Sequence, residues 1–343
     1  MDVGIVGGSG YGGGELLRLL AQHPTLKIRT VAARSAAGKP VVEVFPNLLG
    51  MPGSFVAAQP EAFEGCAAVF LATPHAASME LAPALLDVLG PDAVVVDLSG
   101  AFRLGAQDFE TAYAMEHTAP ALAPAPYGLP ELHRADLRDA RLIAGPGCYP
   151  TAALLALAPL AGLVDPASVV IAGLSGTSGA GKGLREDLHA SHVMGSTAPY
   201  GAPTHRHTSE VATQWAALTD AGARVTFVPH LVPMPRGLLA TATATLLDPG
   251  TDLETVRMAY AGRYDAEPFV SVLPAGQWPA TAHVAGGNAA HVGVAVDAAA
   301  GRVIASCAID NLVKGAAGQA LQCANLALGL PEGAGLSALG VYP

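Results

Sequence analysis

The sequence predicts an α/β protein in two parts, a parallel doubly wound sheet followed by an α+β domain with a mixed or mainly antiparallel sheet. Three observations carry that reading. Short apolar strands alternate with helical stretches as far as Leu98, and a glycine-rich turn joins the first strand to the first helix. Past Cys148, strands follow one another with fewer helices between them.

In chain order, residues 3–6 form a short buried strand, and 13–21 carry helical spacing through Leu16, Leu17, Leu19 and Leu20. Residues 27–33 are the second strand. Residues 67–72 and 93–98 are two more, separated by the helical stretch 76–89. Strands are then expected at 168–174, 224–231, 238–247, 291–296 and 303–309, and a final helix at 312–328 returns to the first domain. The expected division is residues 1–147 together with 310–343, and residues 148–309.

Composition sets limits on function. With 343 residues, 51% hydrophobic and only 13% charged, the chain has ample core and no disordered character. Pro159, Asp165 and Pro166 break the long apolar stretch 154–174, so no membrane span is expected. Nor does the opening strand leave room for a secretory signal. A net charge of −10 argues against nucleic acid but not against a small anionic metabolite, which a few local groups can hold. The cysteines Cys66, Cys148, Cys307 and Cys323 have neither metal-type spacing nor disulfide density, so a reducing cytoplasm and no metal are expected.

Gly7-Gly8-Ser9-Gly10-Tyr11-Gly12-Gly13 follows the first strand and opens the first helix. Glycine there lets backbone approach a pyrophosphate whose charge rests on the helix N-terminus. A bare glycine turn is the alternative, but the strand-to-helix context favours a dinucleotide. The second strand ends in Ala32-Ala33-Arg34-Ser35 with Lys39 close behind, where an NAD site has an acid. Either these are solvated surface residues, or they hold the 2′-phosphate of NADP.

The chemical signal is strongest at Gly145-Pro146-Gly147-Cys148-Tyr149-Pro150-Thr151. It sets a cysteine on a glycine turn at the head of an apolar helix, with Pro150 near the first helical position. The positive helix end favours thiolate, the form that attacks a carbonyl carbon. Arg103, just after the fourth strand, suits either an anion or an ordinary ion pair. Residues 175–183 form a second glycine-rich loop that is no nucleotide P-loop; it either closes over a ligand or is simply mobile. His205-Arg206-His207 precedes a helix with Thr208 as its expected cap, and one histidine is expected to be structural. Asn311 opens the last helix as a cap, or as an amide partner for a carboxamide such as nicotinamide.

These segments resemble one family, the N-acetyl-γ-glutamyl-phosphate reductases of arginine biosynthesis. The resemblance is carried by residues 7–13, 71–75, 96–104, 127–132, 145–151, 175–181, 205–210 and 310–319. It implies a Rossmann-type NADP-binding domain, a glyceraldehyde-3-phosphate-dehydrogenase-like catalytic domain, and a homodimer or homotetramer. It also implies that Cys148 is the nucleophile and His205, as imidazolium, the acid/base, with His207 in reserve. Gly7, Ser9, Gly10, Tyr11, Gly12, Arg34, Ser35, Ser178 and Asn311 match cofactor-contacting positions, and Arg103, Arg206 and His207 the substrate side. The alternative within this chemistry is a reductase of carrier-linked aminoadipyl phosphate in lysine biosynthesis. There Asn-Ala-Thr follows the cysteine, whereas here it is Tyr149-Pro150-Thr151. A cysteine hydrolase would not need the glycine turn, and a non-catalytic NADP sensor would not need Cys148.

Overall fold

The computed structural model describes residues 1–219 and 222–342. The chain divides into two compact units, Met1–Gly147 with Ala316–Leu336, and Cys148–Gly315 with the residues from Ser337 onward. Residues 310–315 and those from 337 onward therefore group with the second unit, not with the first as the sequence suggests. The cause is local hydrogen bonding. Asp310 and Asn311 spend their side chains on second-unit backbone, and the Asn288 N–H donates to Ser337 O at 2.7 Å.

In the first unit, β1 (Asp2–Val6), α1 (Tyr11–Leu20), β2 (Lys27–Ala32), β3 (Ala68–Leu71), α2 (His75–Val88), β4 (Val94–Asp97), α3 (Ala106–Tyr113), α4 (Pro130–Leu137) and β5 (Leu142–Ala144) follow in order. The five strands form one parallel sheet in the order β2-β1-β3-β4-β5. All residues of β3 and β4 are buried, which explains their unbroken apolar sequence. The register aligns Val6 with Ala32 and Leu71, Leu71 with Asp97, and Asp97 with Ala144. All the strands thus end in one row, and the loops that follow them leave from the same edge. The strand order reverses direction between β1 and β3, the position where such sheets take ligands. The sequence missed β5 because three residues are too few for a pattern.

The second unit holds α5 (Cys148–Leu157), β6 (Val169–Gly176), β7 (Ala198–Pro199), α6 (Arg206–Thr219), β8 (Val225–Val232), β9 (Leu238–Thr245), α7 (Leu253–Tyr264), β10 (Val270–Val272), β11 (Ala290–Asp297) and β12 (Arg302–Ile309). Its seven-stranded sheet runs β10-β11-β12-β9-β6-β8-β7, with β6/β8 and β10/β11 parallel and the rest antiparallel. On β9, Leu238, Ala240, Ala242 and Ala244 are buried while the alternate residues stay partly exposed, so one face is covered. α5 lies over β9 and β12, and the small alanines let it approach closely. Every α5 residue after Cys148 is buried. Its last carbonyls are satisfied from α7, where the Tyr264 hydroxyl donates to Leu155 O at 2.7 Å and the Tyr260 hydroxyl to Ala156 O.

The last helix, α8 (Gly318–Ala327), belongs to the first unit. Its buried face carries Gln319, Gln322 and Asn325 at three-residue spacing, each with a polar contact. Gln319 donates to Gly128 O, Gln322 to Glu131 and Glu332, and Asn325 to Glu332 O and Ala334 O. Among the described residues no helix is long and apolar enough to cross a membrane.

Candidate active site

In the first unit the glycines after β1 divide into two kinds. Gly7 has φ +80°, a left-handed conformation that favours glycine, and a methyl group on Gly13 would lie 2.6 Å from Gly7 O and Gly8 Cα. These two are required by the fold itself. Gly10 and Gly12 are not, since a methyl group there would meet nothing closer than 3.6 and 3.9 Å. Gly10 caps α1 with no side-chain hydrogen bond, so the helix opens on main chain alone. Ser9 and the exposed Tyr11 sit in the same turn. Gly8 N–H donates to Ala32 O at 2.9 Å, which brings the end of β2 alongside. Just beyond, Arg34, Ser35 and Lys39 are exposed, and no acid occupies the position.

At the end of β4 lies a polar network that the sequence did not flag, although a lone acid closing Val94-Val95-Val96 was its signal. Asp97 is fully buried and accepts from Ser99 Oγ (2.7 Å), Ser99 N (3.1 Å) and Ser78 Oγ (2.8 Å). Burial pushes its carboxyl up, opposed by these bonds and by the charge of Arg103. Arg103 is 7% exposed and donates to Gly145 O at 2.7 Å and Leu98 O at 3.0 Å. With these two donors it braces the turn that leads to Cys148. His75 Nδ1 accepts from Gly100 N–H at 2.9 Å and steadies the same loop.

In the second unit Cys148 is half-buried and is the first residue of α5. Pro150 is the third helical residue rather than the first; its missing N–H is still one the helix could not pair. A methyl group on Gly315 would lie 2.8 Å from Cys148 Cβ, so the backbone there forms the wall behind the cysteine. Tyr149 turns inward, donates to His230 O at 2.8 Å, and packs edge-on to His205 and His207 with ring centres 6.0 Å away in each case. The two histidine rings are 4.9 Å apart, and Tyr200 stands 5.3 Å from His205. Burial pushes the Tyr200 phenol up, and negative charge on Cys148 adds to the effect.

His205, not Thr208, caps α6: its Nδ1 accepts from His207 N–H at 3.2 Å, and Thr208 lies inside the helix. The bond assigns the neutral ring's proton to Nε2. Burial, then the neighbouring Arg206 charge, lowers His205 to about 4. It therefore rests neutral at pH 7. Arg206 itself is exposed, while His207 is 7% exposed and Glu210, one turn further along α6, is 1% exposed. Glu210 went unread because a Glu in an amphipathic helix looks ordinary.

Ser178 and Asn311 are brought together, with Asn311 Nδ2 donating to Ser178 Oγ at 2.9 Å and Asn311 Oδ1 accepting from Gly237 N–H at 2.8 Å. Asn311 is 2% exposed and clamps these two segments together. The second glycine loop is tied down at its start, where Thr177 N–H and Ser178 N–H donate to Met234 O and Pro235 O. No group of three metal-ligating side chains occurs among the described residues.

Known proteins place this architecture. The family described as semialdehyde dehydrogenase, NAD binding domain, matches residues 2–140, and semialdehyde dehydrogenase, dimerisation domain, matches residues 148–311. An N-acetyl-gamma-glutamyl-phosphate reductase of Streptomyces coelicolor is 49% identical over 99% of this chain and 98% of its own. The chain belongs to the N-acetyl-gamma-glutamyl-phosphate reductase family. A Mycobacterium avium member is 48% identical, with 100% of this chain and 99% of that one covered. A solved aspartate semialdehyde dehydrogenase II of Vibrio cholerae superposes with a TM-score of 0.72 over 95% of this chain and 97% of that one. At 18% identity it shares the fold, a Rossmann-type unit followed by the mixed-sheet unit.

Proposed function

We propose that this chain reduces N-acetyl-γ-glutamyl phosphate to N-acetylglutamate γ-semialdehyde and phosphate with NADPH, a step of arginine biosynthesis in the cytoplasm. The observation that carries the reading is Cys148 at the head of a buried helix in a chain that aligns end to end with reductases of that name. Three buried cysteines and one half-buried, none of them in a disulfide, suit a reducing compartment.

NADPH supplies the hydride when bound. The residues fit it: Gly10 and Gly12 leave room for a pyrophosphate on the α1 N-terminus, and exposed Arg34 and Ser35 offer charge and hydroxyl to a 2′-phosphate. Ser9 and Tyr11 flank the same turn.

Cys148 Sγ attacks the acyl carbon, the carbon–oxygen bond to phosphate breaks, and a thioester remains on the protein. Sulfur donates little to a carbonyl, so the thioester accepts hydride readily. A neutral imidazole takes the thiol proton and returns it to the oxygen that gains charge on reduction. Loss of the sulfur–carbon bond then frees the aldehyde. We assign the proton transfer to His207, because His205 Nδ1 is spent on the helix cap while His207 lies one turn from buried Glu210. His205 contributes its Nε2–H as a neutral donor, and Arg206, exposed beside it, attracts the anionic substrate. Arg103 acts on the turn before Cys148.

The uncovered face of the second sheet, with Val170 40% exposed beside Ala172 and Leu174, is where a second copy packs, giving a homodimer or homotetramer. The deciding experiment runs the reaction backwards. N-acetylglutamate semialdehyde plus phosphate must reduce NADP, and the carrier-linked six-carbon homologue must not; silence with the first substrate overturns the proposal.

A further inference from the structure

Asp310 follows directly on the strand β12 and is fully buried, yet the chemistry above makes no use of it. Its Oδ1 accepts from Leu312 N–H at 2.8 Å and Val313 N–H at 3.1 Å. Its Oδ2 accepts from Gly286 N–H at 2.7 Å and Arg236 Nη1 at 3.0 Å. Its main-chain carbonyl accepts from Gly315 N–H at 3.0 Å, a five-residue span that opens the π-helical turn Val313–Ala317. Such turns are rare and need external support. Gly315 in this turn is the residue whose added methyl group would press on Cys148, 2.8 Å from Cβ and 3.2 Å from Cα.

Four donors converge on one side chain, two on each oxygen. Only a carboxylate accepts at both ends, since an amide must turn an NH2 group toward two of those donors. The neighbouring Asn311 clamps Gly237 and Ser178. Two consecutive side chains therefore register the 234–237 turn, the start of the glycine loop and the wall behind Cys148 against one another.

We propose that Asp310 is a positioning residue for Cys148, setting the place and orientation of the sulfur through the turn that carries Gly315. The inference rests on Cys148 being the nucleophile. In the full-length protein, Asp310→Asn should lower kcat on the order of 10²-fold, the cost of an ångström-scale misplacement of a reacting group. NADPH binding, followed by fluorescence, should hold, and the pH profile of Cys148 alkylation should move. A wild-type kcat overturns the proposal. So does a kcat loss that only tracks the fraction folded while the alkylation profile stays put. If Asp310→Asn does not fold, Gly315→Ala keeps every Asp310 bond and presses on Cys148 directly. It should lose kcat with NADPH binding intact, and a wild-type kcat there also overturns the proposal. Retained reduction by Cys148→Ser would instead sink the nucleophile reading, whatever Asp310→Asn does.

Discussion

The two glycine-rich turns of this chain read alike in sequence and behave oppositely in the fold. In the turn after β1, Gly10 and Gly12 have open space where a side chain would be, and the basic residues beside it are exposed. In the turn after β6, the start of the loop is fastened to Met234 and Pro235, and Ser178 is held by Asn311. On the proposed function the first receives a group from outside, with main-chain donors and open space at Gly10 and Gly12. The start of the second holds protein atoms still. Binding in the first unit should therefore tolerate loss of chemistry in the second, and substitutions in the two units should separate affinity from turnover.

The largest separation is expected from Cys148→Ser, which should abolish reduction while NADPH still quenches or enhances fluorescence as in the wild type. Equal loss of both signals would break the contrast. Next, His207→Asn should cut kcat on the order of 10²- to 10³-fold, as expected for removal of a positioned proton carrier, and more than His205→Asn does. The reverse ranking would return the proton to His205. Smaller and opposite in kind is Gly12→Ala in α1. Alanine favours the helix by about 0.5–1 kcal/mol, so the melting temperature should rise slightly while the KM for NADPH increases. An unchanged KM would show that the space at Gly12 receives nothing. Arg34→Ala should weaken NADPH roughly tenfold, the worth of one exposed charge-assisted bond, and leave NADH use unchanged.

The smallest effect concerns acid stability. His23, buried with Nδ1 accepting from Thr25 and Leu26 N–H, is lowered by burial; so is His291, and His205 is at about 4. The unfolded chain protonates its histidines first as pH falls through about 6.5, so this contribution is complete above that pH and declines below it. Asp97, pushed up by burial, works in the opposite sense. The difference between wild type and His23→Gln isolates the histidine: denaturant midpoints from pH 7.5 to 5 should fall less steeply in the variant. Parallel slopes would exclude His23 as a source of acid sensitivity.

Much of the site was legible because its signals are local. A glycine turn between strand and helix, a basic pair where an acid is usual, and a cysteine heading an apolar run can each be read within ten residues. What the sequence did not show were the partners of polar residues, which lie in other segments of the chain. That Arg103 also braces the backbone at Gly145 and Leu98 could not be read from its own segment. Nor could the bonds of Asn311 to Ser178, 133 positions earlier, and to Gly237. Asp97 and Glu210 were overlooked because a single carboxylate carries no pattern until burial shows what it must be satisfying.

The amino-acid order alone determined the architecture, the family and the kind of cofactor, since each depends on periodicity or on neighbours in the chain. Only the folded structure decided which histidine is spent as a helix cap, which arginine braces the backbone, and that residues 310–315 group with the sheet they close. Those outcomes are competitions among distant hydrogen-bond partners for a few buried groups. The winner is set by which donors and acceptors the sheet register brings within 3 Å or so of one another.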